Sequence, residues 1–194
     1  MLKKIPNNSI GSIVNRYELS DEAKALLDLS ISPAEAIEQL RDAELYNDAV
    51  QFIAHGLPVV EAIFWSCESL TLRAEVWDNN QTHAINSALN WLNQPNETLR
   101  IRASQLADRV GLESAPAWAA KSVYWSGTGS IVAPDLPLVM PPPFLYGHAV
   151  AAAITIAAAV PQWSDDEMGY KKFYQLVIDN GMAIAKGKKV QVSL

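Results

Sequence analysis

The sequence predicts an all-α protein, an irregular multi-helix bundle of about seven or eight helices with a long Pro-rich loop. Residues with strong capping preference, followed by apolar residues at spacings of three and four, recur along the chain. No stretch shows the sustained alternation of β-branched residues that marks a strand. Apolar residues make up 49% of the chain and charged residues 19%, which is typical of a folded protein. We therefore expect a single α-helical domain over residues 1–194.

The first helices are predicted from their capping residues. A short helix begins after Ser20 and ends near Leu29. Ser32 and Glu35 have the spacing of a capping box, and a proline lies between them at the first helical position. This pattern predicts a helix over residues 33–41.

The next two helices are separated by a glycine and a proline. Residues 42–55 are helical by composition, and Gly56 followed by Pro58 ends this helix and begins the next. The following helix is predicted to run to about residue 78. Its apolar residues recur every three or four positions and form one face: Val60, Ile63, Cys67, Leu70, Ala74 and Trp77. Glutamates recur every seven residues on a flanking face, at Glu61, Glu68 and Glu75.

Later helices are predicted from apolar spacing and from glycine or proline at their ends. The expected ranges are 81–92, 97–110, 114–127 and 145–160, and a last helix opens at the second capping box, Ser164 to Glu167. The tryptophans at positions 65, 77, 118 and 125 sit at helical spacings and are expected in the core. The alanine-rich run from Ala149 to Ala159 fits either the core or the seam of a homodimer.

Residues 127–143 interrupt this helical pattern. Two glycines and five prolines fall in the stretch, so no helix can run through it. A connection of this length is longer than compact domains usually contain, which indicates a functional loop or a linker. Its apolar residues, from Ile131 to Met140, predict that it is pinned against the protein. Residues 1–18, in contrast, are expected to form a flexible N-terminal arm.

Charge and composition exclude several classes of function. The net charge of −6 and the pI near 5.0 oppose binding to nucleic acid, which depends on lysine and arginine. The longest apolar run, residues 149–160, is shorter than the ~20 residues needed to cross a bilayer, so we expect no membrane insertion. The N-terminus lacks the apolar core of a secretory signal, and Cys67 is the only cysteine. These features favour a cytoplasmic protein.

No catalytic or metal-binding motif is recognisable. Cys67 lies on the apolar face of a helix, where a cysteine is usually a small buried hydrophobe. His55, His83 and His148 are far apart, without the four-residue spacing of paired zinc ligands. His55 fits a helix C-terminal position, where its charge would oppose the backbone dipole. The glycine-rich stretch at residues 126–130 lacks the lysine of a phosphate-binding loop. We therefore predict no catalytic residues, no metal and no cofactor.

The remaining candidate residues concern protein binding. The segment from Pro134 to Tyr146 combines extended, Pro-rich backbone with apolar side chains, a combination favoured for partner recognition. Trp163, between a proline and a capping serine, is a further candidate for an exposed aromatic contact. The loop could instead strap across the bundle and cover two helices. The predicted partner-binding residues are Leu136, Leu138, Met140, Phe144, Tyr146 and Trp163.

Four stretches together resemble a bacterial family of helical proteins of unknown function. They are residues 56–67 (GLPVVEAIFWSC), the stretch from Ala117-Trp118 to Trp125-Ser126-Gly127, the prolines of 134–143, and residues 180–187 (NGMAIAKG). The resemblance covers roughly residues 45–190. It implies an accessory protein, since some members are associated with type VI secretion gene clusters, and it implies no catalytic residues.

Three functions follow as hypotheses. The leading one is a non-enzymatic cytoplasmic accessory or adaptor protein that binds a protein partner through the Pro-rich loop, in a bacterial type VI secretion system. The second is an immunity or inhibitor protein whose acidic surface, including Glu61, Glu68 and Glu75, masks a basic toxin. The third is an enzyme with a composite site at His148 beside the glycine-rich stretch.

Overall fold

The computed structural model of the chain describes residues 2–5, 9–133, 135–160 and 169–191. Within these ranges the protein is all-α, as predicted, and has no strand. The same ranges contain ten α-helices, more than the seven or eight expected, and one short 3-10 turn at Ala74–Val76. The helices are α1 (Gly11–Val14), α2 (Asp21–Leu26), α3 (Pro33–Asp42), α4 (Tyr46–Gly56), α5 (Val59–Thr71), α6 (Asn79–Asn93), α7 (Glu97–Val110), α8 (Ala115–Tyr124), α9 (Leu145–Ala158) and α10 (Tyr170–Lys186).

Side-chain caps determine where several helices begin. The Ser32 hydroxyl accepts a hydrogen bond from the N–H of Glu35, whose carboxylate accepts one from the N–H of Ser32, so the predicted capping box of α3 is confirmed. A second box, between Asp78 and Gln81, begins α6 and was not predicted. The bounds of α7 agree with the prediction at both ends. The proposed box at residues 164–167 lies outside the described residues.

Helix α5 is shorter than predicted, because it ends at Thr71 and the 3-10 turn follows. The indole Nε1 of Trp77 donates to the carbonyl of Leu70 at 2.9 Å, which satisfies one of the acceptors that a helix end leaves unpaired. The predicted apolar face is therefore correct only in its middle. Ile63, Cys67 and Leu70 are buried, whereas Val60 and Ala74 are exposed.

Helix α9 lies at the centre of the bundle, packed against α4, α5 and α8. Most of its alanines are buried, so they serve the core. Its glycine permits a close approach to α4, because a Cβ on Gly147 would lie 2.8 Å from the ring of His55. Helix α9 is the most apolar helix, but its 14 residues are fewer than the ~20 needed to cross a bilayer. None of the described helices reaches the length and apolar character that a membrane crossing requires.

Trp65, on α5, is the fully buried tryptophan of the core. Its Nε1 donates to the carbonyl of Val177 at 2.9 Å, and Gly181 leaves room for its indole ring. The tryptophans at positions 77, 118 and 125 are half-buried at the edge of the core. The prediction of four core tryptophans therefore holds fully for Trp65 alone.

The N-terminal segment is packed against the domain and does not form the predicted flexible arm. Ile5, Ile10 and Ile13 are at most 1% exposed, and the N–H of Lys4 donates to the carbonyl of Ala185 at 2.9 Å. The physical reason is the spacing of the apolar residues around α1. Ile10, Ile13 and Val14 fall on one side of a helical turn, and burying that side removes it from water.

Candidate functional site

The long connection between α8 and α9 is organised around the buried guanidinium group of Arg100. This side chain projects from α7 and is 1% exposed. Its Nη1 donates to the carbonyl of Tyr124 at 2.7 Å, and its Nη2 donates to the carbonyl of Ser130 at 2.6 Å. The guanidinium also lies over the Tyr124 ring, with Cζ 4.6 Å from the centroid. One side chain therefore joins α7, the end of α8 and the start of the loop.

Glu97 balances the charge of Arg100 one turn earlier on α7. Its two carboxylate oxygens accept hydrogen bonds from Nε and Nη2 of Arg100, both at 2.7 Å. The hydrogen bonds from Arg100 hold the pKa of the Glu97 carboxyl below its usual value. Gly129 makes room for the pair, since a Cβ there would lie 2.6 Å from Nε of Arg100. Arg100 thus pairs with a glutamate of its own helix.

The loop beyond Ser130 folds back on itself. The N–H of Ile131 donates to the carbonyl of Val139 at 2.8 Å, and the Ser130 hydroxyl accepts from the N–H of Val139 at 3.2 Å. Near the turn, the N–H of Leu136 donates to the carbonyl of Ala133 at 3.0 Å. The two sides of the loop are therefore hydrogen-bonded to each other next to Ser130, the residue whose carbonyl Arg100 binds.

The apolar side chains at the end of this loop are exposed. We call Leu136, Leu138, Val139 and Met140 the loop tip, and their exposed fractions are 55%, 73%, 46% and 42%. The expectation that the loop is pinned against the protein therefore holds for its base and is wrong for its tip. Only the residues near the base, Ile131 and Val132, are half-buried. The prolines that flank Leu138 keep the segment extended and direct these side chains away from the bundle.

Phe144 and Tyr146 anchor the far end of the connection. Phe144 adopts a left-handed backbone conformation (φ 62°), and the guanidinium of Arg16 lies 4.0 Å from the centroid of its ring. The Tyr146 hydroxyl donates to the carbonyl of Leu57 at 3.0 Å, and burial raises the pKa of this hydroxyl. Of the predicted partner-binding residues, Leu136, Leu138 and Met140 lie together at the tip, whereas these two face the domain. Trp163 lies outside the described residues.

His55 is enclosed between the N-terminal segment and α9. Its Nδ1 donates to the carbonyl of Gln51 at 2.8 Å, so Nε2 carries the lone pair, and Nε2 has no hydrogen-bond partner among the described residues. The ring stacks on Tyr17 and contacts the ring of His148 edge-on, with centroids 4.9 Å and 4.5 Å away. Burial lowers the pKa of His55 to about 4. His55 lies in the last turn of α4, as predicted, but its lowered pKa disfavours the charge that would interact with the helix dipole.

His148 is exposed and opens onto a shallow depression of about 570 Å³. Arg16, Glu18 and Lys24 also line this depression, and its walls come largely from residues 14–19. The glycine-rich stretch contributes no residue to the lining, because Gly129 and Ser130 contact Arg100 instead. The structure therefore does not bring together the two parts of the composite site that we hypothesised.

The remaining candidate residues have structural surroundings. Cys67 is fully buried, and burial raises the pKa of its thiol to about 12, which disfavours the reactive thiolate. Glu61 pairs with Lys4 at 2.6 Å, and Glu68 pairs with Lys188 at 2.9 Å. Lysines therefore offset two of the three glutamates in the predicted acidic ridge. No group of three or more metal-ligating side chains is found in the part of the chain that the structure describes.

Comparison with known proteins identifies a family. The model of a family of unknown function, DUF6931, matches residues 36–185 of the chain. This range contains α4 to α9 and most of α3 and α10, together with Arg100 and the whole Pro-rich loop, and it includes most of the four stretches on which the resemblance rests. Searches of curated proteins and of solved structures found no significant match.

Proposed function

The chain belongs to DUF6931, a family of unknown function, and we propose that it is a non-enzymatic accessory or adaptor protein that binds a protein partner through the loop tip. The observation that carries the proposal is the exposure of four apolar side chains on a loop whose base is fixed by Arg100. Leu138, at 73%, has the largest exposed fraction among the large apolar residues of the described chain.

A fixed base favours binding because less conformational freedom is lost when the partner engages. The Pro-rich backbone has the same effect, since an extended polyproline-type segment is already close to the conformation that such grooves accept. The apolar tip fits a partner with an apolar groove, into which Leu138 would insert with Leu136 and Met140 beside it. Phe144 and Tyr146 support the loop from the side of the domain.

The process that we propose rests on the family resemblance. The resemblance implies that some members of the family are associated with type VI secretion gene clusters, so the partner in this proposal is a cytoplasmic component of such a machine. The absence of an enzyme activity is part of the same proposal. Its support is that the single cysteine is buried with a raised pKa and that His55 is fully buried.

The toxin-masking role has weaker support than the adaptor role. It requires a negative surface around Glu61, Glu68 and Glu75, but Lys4 and Lys188 compensate the first two charges. Capture that is insensitive to salt would favour the adaptor role, because binding between opposite net charges weakens as salt screens them.

The experiment that tests the proposal compares capture of proteins from native cells by three tagged forms of the full chain. The test variant replaces Leu136, Leu138 and Met140 with serine. The matched control replaces three apolar residues that are exposed elsewhere, at positions 29, 112 and 176, with serine. Because every substituted residue is exposed, all three forms should retain the same helical circular dichroism.

We expect a protein that is captured by the wild type and by the control variant and is lost from the loop-tip variant. Equal capture by all three folded forms would rule out the loop tip as the binding surface. Loss from both variants would show that capture depends on exposed leucines in general.

A further inference from the structure

A polar groove between α6 and α7 has a charge opposite to that of the protein as a whole. The groove has a volume of about 220 Å³. One wall carries His83, Asn86 and Asn90 from α6, and the other carries Arg102 and Arg109 from α7. The two arginines are seven residues apart and lie on one face of their helix. All five side chains belong to exposed residues.

No carboxylate compensates the two arginines within the part of the chain that the structure describes. Neither Arg102 nor Arg109 forms an ion pair there, and no acidic side chain lines the groove. The acidic residues of α7 point elsewhere, since Glu97 pairs with Arg100 and Asp108 pairs with Lys121 at 2.7 Å. In a chain with a net charge of −6, the groove is a local positive site.

The spacing of the polar groups matches an extended peptide. Arg102 and Arg109 are separated by about 10 Å along α7, and Asn86 and Asn90 are separated by about 6 Å along α6, at a rise of 1.5 Å per residue. A peptide in the polyproline II conformation advances about 3.1 Å per residue and repeats every three residues. Its side chains at positions i and i+3 therefore lie on one side, about 9 Å apart. Peptide carbonyls two residues apart are separated by about 6 Å.

We propose that the groove between α6 and α7 binds an extended acidic segment of a partner protein. Arg102 and Arg109 pair with carboxylates at positions i and i+3 of the segment, and a guanidinium is well suited to bidentate contact with a carboxylate. Asn86 and Asn90 donate from their amide groups to peptide carbonyls of the same segment. Leu99 and Leu106, which are half-buried, provide the apolar floor. This surface is separate from the loop tip and does not depend on the role proposed for the tip.

The proposal is tested with the full chain and labelled synthetic peptides, by fluorescence anisotropy at low salt. The probe peptide is Gly-Glu-Pro-Pro-Glu-Pro-Pro-Gly, whose prolines favour polyproline II and whose glutamates are three residues apart. One comparison peptide has glutamine at both glutamate positions. The other has the same composition with adjacent glutamates. We expect the probe to bind about tenfold more tightly than either, since tenfold corresponds to the loss of about one charge-assisted hydrogen bond.

The variant R102Q/R109Q is expected to weaken binding of the probe by about tenfold or more. Its matched control is K186Q/K189Q, which changes the net charge equally at exposed lysines near the end of α10. That control should retain the wild-type affinity. The variant N86A/N90A should weaken binding to a smaller extent, because neutral hydrogen bonds are lost.

Several outcomes would overturn the proposal. Equal weakening by K186Q/K189Q would show that binding follows net charge and not the groove. Equal affinity for the probe and for the peptide with adjacent glutamates would show that the groove does not recognise the carboxylate spacing of an extended peptide. Tighter binding of a short single-stranded oligonucleotide, competing with the probe, would assign the groove to nucleic acid.

Discussion

Two parts of the described chain, residues 2–5 with 9–18 and residues 130–133 with 135–140, contain little regular structure and several large apolar side chains, yet they differ in where these side chains lie. In the N-terminal segment, Ile5, Ile10 and Ile13 are buried. In the loop, Leu136 and Leu138 are exposed. The first outcome reverses the prediction of a flexible arm, and the second limits the prediction of a pinned loop to its base. Apolar content therefore does not decide burial by itself.

The spacing of the apolar residues and the neighbouring backbone account for the difference. Ile10, Ile13 and Val14 share one side of the helical turn α1, so a single contact buries them together. In the loop, the prolines at 137 and 141 rule out a helical turn, so Leu136, Leu138 and Met140 do not form the apolar face of a helix and they stay exposed. Arg100 then fixes the base of the loop and leaves the tip outside the core.

The strongest test of this comparison is a pair of substitutions, one in each segment. Ile13→Ala is expected to lower the free energy of unfolding by about 3 kcal/mol, because it leaves a cavity in the core. Leu138→Ala should change it by less than about 0.5 kcal/mol, because the side chain is already in solvent. Urea denaturation followed by circular dichroism measures both values. Similar losses of unfolding free energy at the two positions would contradict the difference in burial between the two segments.

The second prediction concerns the base of the loop. Arg100→Met should lower the free energy of unfolding by about 2 kcal/mol, since the carbonyls of Tyr124 and Ser130 lose their donor. It should also speed hydrogen exchange at the N–H of Ile131, which is bonded to Val139. The control is Arg41→Met, where the arginine is partly exposed and its ion pairs lie at 3.5 Å. Unchanged exchange at Ile131 would show that Arg100 does not hold the loop.

The third prediction concerns the N-terminal segment, which packs on His55 through Tyr17. Burial places the pKa of folded His55 at about 4, against an ordinary value of 6.5. Between these values the unfolded chain binds a proton and the folded chain does not, so stability is complete above pH 6.5 and falls as the pH decreases. The slope is about 1 kcal/mol per pH unit.

Denaturation of the wild type, His55→Gln and His83→Gln over this pH range measures that contribution. The slope should be reduced in His55→Gln and retained in His83→Gln, since His83 is exposed. After correction for the intrinsic pH dependence of amide exchange, protection should also fall with decreasing pH at the N–H of Arg16, which is bonded to the carbonyl of Ile13, before it falls at Ile131. Equal slopes in all three proteins would contradict the role of His55.

The last prediction concerns the stability of the triple serine variant of the loop tip. Its free energy of unfolding should stay within about 1 kcal/mol of the wild type, because all three side chains are exposed. Its capture of a partner should be lost. A large loss of stability would show that the tip is packed against the domain.

Much of the fold could be predicted from local sequence. Capping residues and helix-ending glycines gave the start of α3 and both ends of α7, because these signals act within a single turn. The end of α5 could not be predicted in this way. It depends on the contact of Trp77 with the carbonyl of Leu70 and on the capping box at Asp78, which together favour a turn over a continued helix.

The candidate site was predicted in part. Leu136, Leu138 and Met140 were identified from the Pro-rich pattern, but Arg100 was not identified as their support. The signal available in the sequence was its spacing of three from Glu97 at the start of a helix. That spacing predicts an exposed ion pair. The burial of Arg100 depends on Tyr124 and Ser130, which are distant in sequence, and only the packing of α8 against α7 brings them together.

The measurement that tests the central claim most directly is photo-crosslinking in native cells. A photoreactive amino acid replaces Leu138 in one form of the chain and Leu29, which is 56% exposed, in another. If the loop tip binds a partner, position 138 should give a discrete crosslinked protein that is absent from position 29 and is reduced when Arg100→Met loosens the loop. The same crosslinked products from both positions, or none from position 138, would contradict that claim.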